Sequence, residues 1–182
     1  MSSFASDEQF VGLIRQEQTG LQDRVSRLFE EARDDVYRYL LTLGLYPPQA
    51  QEAAQEVFLR LYATQRKGKE IQNPRAWIFR VAHNLGLKIR ARQHSEEPFN
   101  PEVGTRYSTD RETPETQLLE RERMTRFHAA VESLSEQQRR CLFLRMEGLR
   151  YPEIGGTLGI SASTVGEFLR RAMVQLKKVR DE

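Results

Sequence analysis

"EIGGTLGISASTVGEFLRRA" spans Glu153–Ala172, and its spacing decides what the C-terminal part of the chain can be. Ile154 and Leu158 lie one helical turn apart, Gly159 supplies a turn, and Ile160 fits the angle between two helices. Ser161 is placed to cap a second helix, along which Val165, Leu169 and Ala172 face inward. That is the pattern of a helix-turn-helix, whose second helix enters the major groove of DNA. Ser161, Ser163, Thr164, Glu167 and Arg170 then lie on its exposed N-terminal side, with Arg171 and Lys177 placed for phosphates. A helical hairpin that only packs is the alternative, but turn, cap and apolar spacing all favour the DNA-binding motif. Three glycines oppose it: Gly155, Gly156 and Gly166 fall inside the two helices, each costing ~1 kcal/mol relative to Ala. Gly166 also leaves a gap where a groove-facing side chain could stand.

Upstream, "LSEQQRRCLFLRMEGL" (Leu134–Leu149) is a further helix with Ser135 as its cap. Another helical segment starts near Leu118 and carries Phe127, Ala130, Val131 and Leu134. Residues 95–117 hold three of the seven prolines and little apolar pattern, which reads as an extended, flexible linker. Before it lies "NPRAWIFRVAHNLGLKIRARQ" (Asn73–Gln93), with five Lys/Arg and no acid. Asn73 suits an N-cap and Pro74 the first helical position. Ile78, Val81, Ala82, Leu85 and Ile89 form its expected buried stripe. At about 100° per residue, Trp77, Arg80, Asn84 and Lys88 fall on a second stripe along one flank. Two more helices precede it. One carries Leu28, Val36, Leu40 and Leu43 with Phe29 and Tyr39 beside them, and "GLYPP" (Gly44–Pro48) ends it. The next carries Ala54, Val57, Phe58, Leu61 and Tyr62 on one face, and the basic loop "QRKGKE" (Gln65–Glu70) ends it.

The formal net charge of +2 conceals a blocked pattern. Residues 1–59 carry −5, residues 60–94 carry +8, residues 95–117 carry −4 and residues 118–182 carry +3. A basic block between acidic ones suggests an anionic partner for that block, the alternative being a solvated helix face. Single strands bind in positive grooves with aromatic platforms, where stacking is worth ~1–3 kcal/mol per base. Trp77, Arg80, Asn84 and Lys88 supply an aromatic face, two phosphate partners and a base-edge hydrogen-bonder.

With 182 residues the chain suits one large domain or two small ones. No apolar run approaches the ~20 residues a membrane helix needs. "MSSFASDEQF" lacks the basic start and apolar stretch of a signal peptide, so a cytoplasmic address is expected. Cys141 is the sole cysteine, and His83, His94 and His128 lack ligand spacing with it or one another. No phosphate loop or nucleophile motif is present, so no metal, cofactor or catalytic residue is expected.

The two motif sets together resemble sigma factors of bacterial RNA polymerase, in particular the small two-domain extracytoplasmic-function (ECF) group. "QEVFLRLY" (Gln55–Tyr62) followed by "NPRAWIFRVAHN" (Asn73–Asn84) resembles the family's domain two, and Leu134–Ala172 resembles its domain four. The resemblance implies an all-α protein: two small helical domains joined by a flexible linker, the C-terminal one with a helix-turn-helix. Residues 1–20 would be an N-terminal extension, where Phe10, Leu13 and Ile14 suggest a short amphipathic helix packing on domain two. Residues 21–94 would be domain two, 95–117 the acidic linker in the polymerase's RNA-exit region, and 118–182 domain four.

Position by position, the resemblance implies that Glu52, Gln55, Glu56 and Arg60 dock on the clamp of the largest polymerase subunit. The loop Gln65–Gln72, with Arg66, Lys67 and Lys69, would receive a base flipped from the minus-ten element. Trp77 and Asn84, with Arg80 and Lys88 on their flank, would help open the duplex and hold the non-template strand. Domain four would meet the flap of the second-largest subunit and read the minus-thirty-five element with the helix Ser161–Lys177. An anti-sigma factor or other regulatory partner is expected as well. The chain departs from the family at Gln49, Ala50 and Gln51, where acids are frequent and only Glu52 remains, and at Gly166 and Phe168, which replace frequent Lys and Arg. The competing readings are a helix-turn-helix regulator that binds operator DNA without core polymerase, and a helical scaffold that binds only protein.

Overall fold

The computed structural model describes residues 4–96 and 125–180, with side chains over 19–93 and 125–178. All regular structure among the described residues is helical, and the chain divides into two compact units, Met1–Pro98 and Phe99–Glu182. The linker expected over 95–117 and the helix start near Leu118 lie almost wholly outside the described residues.

Among the described residues the first unit is three helices: α1 (Phe4–Thr42), α2 (Pro47–Arg66) and α3 (Pro74–Glu96). The short N-terminal helix expected over residues 1–20 is the beginning of the 39-residue α1. The packing of Phe10, Leu13 and Ile14 lies outside the described side chains. Gly44 ends α1 at φ 90°, a left-handed conformation that a Cβ disfavours. Pro47 then opens α2, and Gln49 Oε1 accepts the Tyr46 N–H at 3.3 Å. The same oxygen accepts from Gln93 Nε2, tying the start of α2 to the end of α3. Where the family pattern favours acids, Gln49 therefore serves the fold and Ala50 is buried.

Val36, Tyr39 and Leu40 of α1 and Leu43 just after it are fully buried against Val57, Phe58 and Leu61 of α2 and Ile78, Phe79 and Ala82 of α3. Leu28 and Phe29 are half-buried, with Phe29 edge-on to Phe58 at 5.1 Å. The buried face of α3 is turned from the expected stripe: Phe79, His83 and Gly86 are buried, whereas Val81, Leu85 and Ile89 are only half-buried. The cause lies on α1, where Tyr39 stacks edge-on to Phe79 at 5.6 Å and shares a 2.9 Å hydrogen bond with His83 Nδ1. Gly86 completes this contact, because a Cβ there would lie 2.7 Å from Leu43 Cδ1.

In the second unit, residues 125–133 are helical (α4), followed by α5 (Glu136–Met146), α6 (Tyr151–Leu158) and α7 (Ala162–Arg180). Ser135 caps α5 reciprocally with Gln138: Gln138 N–H donates to Ser135 Oγ at 3.3 Å, and Ser135 N–H to Gln138 Oε1 at 2.8 Å. The core joins Ala130, Leu134, Cys141, Leu144, Leu149, Ile154, Val165, Leu169 and Ala172. Phe127, expected on an apolar face, is 48% exposed among the described residues, and Val131 is half-buried. Burial pushes the Cys141 thiol up to about 11, so it stays neutral.

Candidate nucleic-acid interface

Asn73 Oδ1 accepts the Ala76 N–H at 3.1 Å and fixes the first turn of α3, which carries Trp77. Trp77 is half-buried at the edge of the packed face, while Arg80, Asn84 and Lys88 are exposed along the same flank. Arg66 ends α2, two residues into the loop expected from Gln65, and the connection to this turn carries Lys67 and Lys69; all three are exposed, and the chain bends at Gly68 with φ 75°. None of Arg66, Lys67, Lys69, Arg80 and Lys88 forms an ion pair among the described residues. Arg75 differs: it pairs with Asp35 at 2.8 Å and lies over the Phe79 ring at 5.6 Å, so it belongs to the fold. The flank can therefore offer an aromatic face, an amide and several uncommitted cations to a polyanion.

On α2, Glu52, Gln55 and Arg60 are exposed and Glu56 is half-buried, paired with Arg60 at 2.7 Å. These four line a groove of ≈ 590 Å³ whose far wall is Leu85, Ile89, Arg92 and Gln93 of α3. A second groove of ≈ 500 Å³ runs between α1 and α2 beside Phe29, Phe58 and Tyr62. Leu59 borders both and is 64% exposed. Sequence reasoning missed Leu59, although a signal existed: it is a large apolar residue lying off the buried Ala54–Val57–Phe58–Leu61 stripe.

In the second unit the turn has helix-turn-helix geometry. Gly159 adopts φ 71°, and Ile160 N–H donates to Gly155 O at 3.1 Å. A Cβ on Gly155 would come within 2.6 Å of Ile160 O, so glycine there is a requirement of the turn rather than a defect. Gly156 faces open space and keeps its helical penalty. Gly166 is no vacant gap: a Cβ there would meet the Tyr151 ring at 3.4 Å, and the Arg145 guanidinium lies 5.8 Å from that ring's centroid. Aromatic bulk from α6 thus occupies the space beside residue 166.

Ser161 caps α7, accepting the Thr164 N–H at 3.1 Å, and its hydroxyl contacts Ser163 Oγ and Thr164 Oγ1, each at 2.8 Å. Ser163, Arg170, Arg171 and Lys177 are exposed, and Thr164 and Glu167 half-buried. Glu167 Oε2 accepts from Arg170 Nε at 2.9 Å, and its Oε1 from Arg170 Nη2 at 2.9 Å and Arg171 Nε at 2.7 Å. These hydrogen bonds hold the Glu167 carboxyl at about 2, well below the usual carboxylate range. Sequence reasoning placed these residues on one face but missed that the arginines share one carboxylate, although their i+3 and i+4 spacing was a signal.

Among the described residues no group of three or more His, Cys, Asp or Glu side chains could hold a metal ion. No helix among them is long and apolar enough to cross a membrane.

Two family models match the chain: "Sigma-70 region 2" over residues 28–96 and "Sigma-70, region 4" over residues 124–176. The ECF RNA polymerase sigma factor SigE of Mycolicibacterium smegmatis is 29% identical over 157 residues, covering 82% of this chain and 59% of the relative. The ECF RNA polymerase sigma factor BldN of Streptomyces coelicolor is 29% identical over 175 residues, covering 92% of this chain and 64% of the relative. The chain thus spans less than two thirds of the length of these two relatives. In fold, it is similar to the sigma factor RpoE of Bartonella quintana, solved in complex with the anti-sigma factor NepR. The TM-score is 0.61 at 19% identity, covering 86% of this chain and 96% of that one.

Proposed function

Because this chain belongs to the ECF group of the sigma-70 family, we propose that it binds core RNA polymerase and directs promoter recognition, duplex opening and transcription initiation, with no catalysis of its own. The observation that carries this reading is the flank of α3: Trp77, Arg80, Asn84 and Lys88 stand in one line, continuous with the basic loop, and its cations make no ion pair among the described residues. A surface built only to pack or to stay solvated does not need an aromatic edge among uncommitted cations. Trp77 supports the opened duplex, Asn84 meets a base edge of the non-template strand, and Arg80 and Lys88 meet phosphates. The loop with Arg66, Lys67 and Lys69 receives the flipped minus-ten base.

The exposed face of α2, with Glu52, Gln55, Glu56 and Arg60, docks on the clamp of the largest polymerase subunit, and Leu59 adds an apolar anchor between its two grooves. Domain four contacts the flap of the second-largest subunit and reads the minus-thirty-five element through α7. An anti-sigma factor is a proposed regulatory partner; the Bartonella quintana neighbour was solved in complex with one. The place of action is the cytoplasm.

The test is a titration against bacterial core RNA polymerase followed by size-exclusion chromatography. Stoichiometric co-elution, with opening of promoter DNA by the complex, is the expected result. Absence of co-elution while the protein still shifts duplex DNA would replace this reading with an operator-binding regulator. Absence of both would leave a protein-binding scaffold.

A further inference from the structure

Glu167 is an odd residue for the surface it occupies. At about 100° per residue it projects, with Arg170 and Arg171, from the side of α7 opposite the buried Val165, Leu169 and Ala172. A carboxylate on a face that meets DNA is repelled by phosphates and loses water on binding. The structure shows how that penalty is offset: its two oxygens take three N–H donors from two guanidiniums. The three side chains remain 39%, 65% and 60% exposed for Glu167, Arg170 and Arg171, so the cluster sits on the surface and not in a core.

The geometry within the cluster is asymmetric. Arg170 is gripped along one edge of its planar fork, through Nε and Nη2. The adjacent end edge of the fork carries the remaining Nη1 and Nη2 N–H groups, which make no hydrogen bond among the described residues. Arginine reads guanine with just such a pair of parallel donors, to O6 and N7 in the major groove. Arg171 is held by Nε alone.

We propose that Glu167 is a positioning residue of the recognition helix: it holds Arg170 by one edge so that the other edge reads a guanine in the major groove, and it withholds Arg171 from indiscriminate phosphate contact. This rests on the proposed reading of α7 as the helix that meets duplex DNA. Glu167 then lowers overall affinity and raises selectivity. Three charged side chains present a net charge of +1 instead of the +2 that two free arginines would carry, while one guanidinium is held along one edge by two hydrogen bonds. The carboxyl's low pKa keeps it ionised across the whole range in which duplex DNA is stable, so protonation does not release the arginines.

The test uses the full chain bound to core polymerase and a promoter duplex library randomised over the upstream element. Wild type, Glu167→Gln and Glu167→Ala are compared, with co-elution on core confirming that each is folded. Wild type should select guanine at one position. Glu167→Ala should lose that preference by about ten-fold, the effect expected when one bidentate arginine contact is lost. Its binding to unrelated duplex should hold or rise, with a salt dependence steeper by about one phosphate contact. Glu167→Gln, which keeps an acceptor oxygen but no charge, should fall between. An unchanged guanine preference in Glu167→Ala overturns the inference alone, as does a uniform loss of binding to every sequence. A wild-type complex that selects no base pair overturns the DNA-reading role of α7 and this inference with it.

Discussion

On α3, Arg80 and Lys88 stand exposed with no ion pair among the described residues, whereas on α7 Arg170 and Arg171 share the carboxylate of Glu167. Both surfaces are basic and helical, yet the proposed function gives them different targets. A separated strand presents unstacked bases and a flexible backbone, so loose cations and one aromatic edge suffice. A duplex presents a fixed pattern of donors and acceptors in its groove, and reading it rewards side chains whose orientation is set beforehand. Charge count alone would rate the two helices alike; the partner of each guanidinium separates them.

Four experiments would break or sharpen that contrast. The largest effect is expected from Trp77→Ala in the complex with core polymerase. Open-complex formation should fall by about ten- to a hundred-fold, matching the loss of ~1–3 kcal/mol of stacking, while core binding stays intact. Fluorescence of a base analogue in the minus-ten region would report it; equal loss of core binding would place Trp77 in the fold rather than the interface. Next comes Gly155→Ala, whose Cβ would press within 2.6 Å of Ile160 O. It should destabilise the second unit by ~1–3 kcal/mol in thermal unfolding and weaken duplex recognition. The neighbouring Gly156→Ala should stabilise that unit by about 0.5–1 kcal/mol, since nothing lies within 4 Å of its added carbon.

A smaller difference should appear in salt titrations. Arg80→Ala with Lys88→Ala should flatten the log–log salt dependence of single-strand binding by about 1.4, two contacts at ~0.7 each. Arg170→Ala with Arg171→Ala should flatten duplex binding by less than the ~1.8 two free cations would give, because the pair is already half-neutralised. Equal effects would erase the contrast. The smallest signal is the titration of Glu167. Its folded carboxyl lies at about 2, below the unfolded value, so its contribution to stability is present above the ordinary carboxylate range and disappears as pH falls through about 2. Carboxyl chemical shifts should therefore show Glu167 still ionised at pH ~3, and Arg170→Ala with Arg171→Ala should return it to the ordinary range near ~4.

Much of this architecture was legible locally. Asn73, Ser135 and Ser161 act at the helix starts where their side chains suit a cap, and Gly44 and Gly159 end helices with the positive φ that glycine permits. The line of Trp77, Arg80, Asn84 and Lys88 follows from helical periodicity alone. Periodicity misjudged the buried face of α3, because Phe79 and His83 are drawn inward by Tyr39, a residue forty positions and more away in sequence. It also misjudged Gly155, which is fixed by the approach of the turn backbone, and it did not show that the Tyr151 ring lies beside Gly166, where a Cβ would meet it at 3.4 Å.

The sequence by itself determined the helix starts at Asn73, Ser135 and Ser161, the helix ends at Gly44 and Gly159, which face of α7 is apolar, and where positive charge concentrates. These depend on caps, glycine φ and the 3.6-residue repeat, all of which act within a few residues. Only the tertiary structure decided how far α3 rotates about its axis, which glycines are obligatory, and where Leu59 stands between its two grooves. Those outcomes depend on close packing between elements distant along the chain, where a shift of a few tenths of an ångström decides whether a carbon fits.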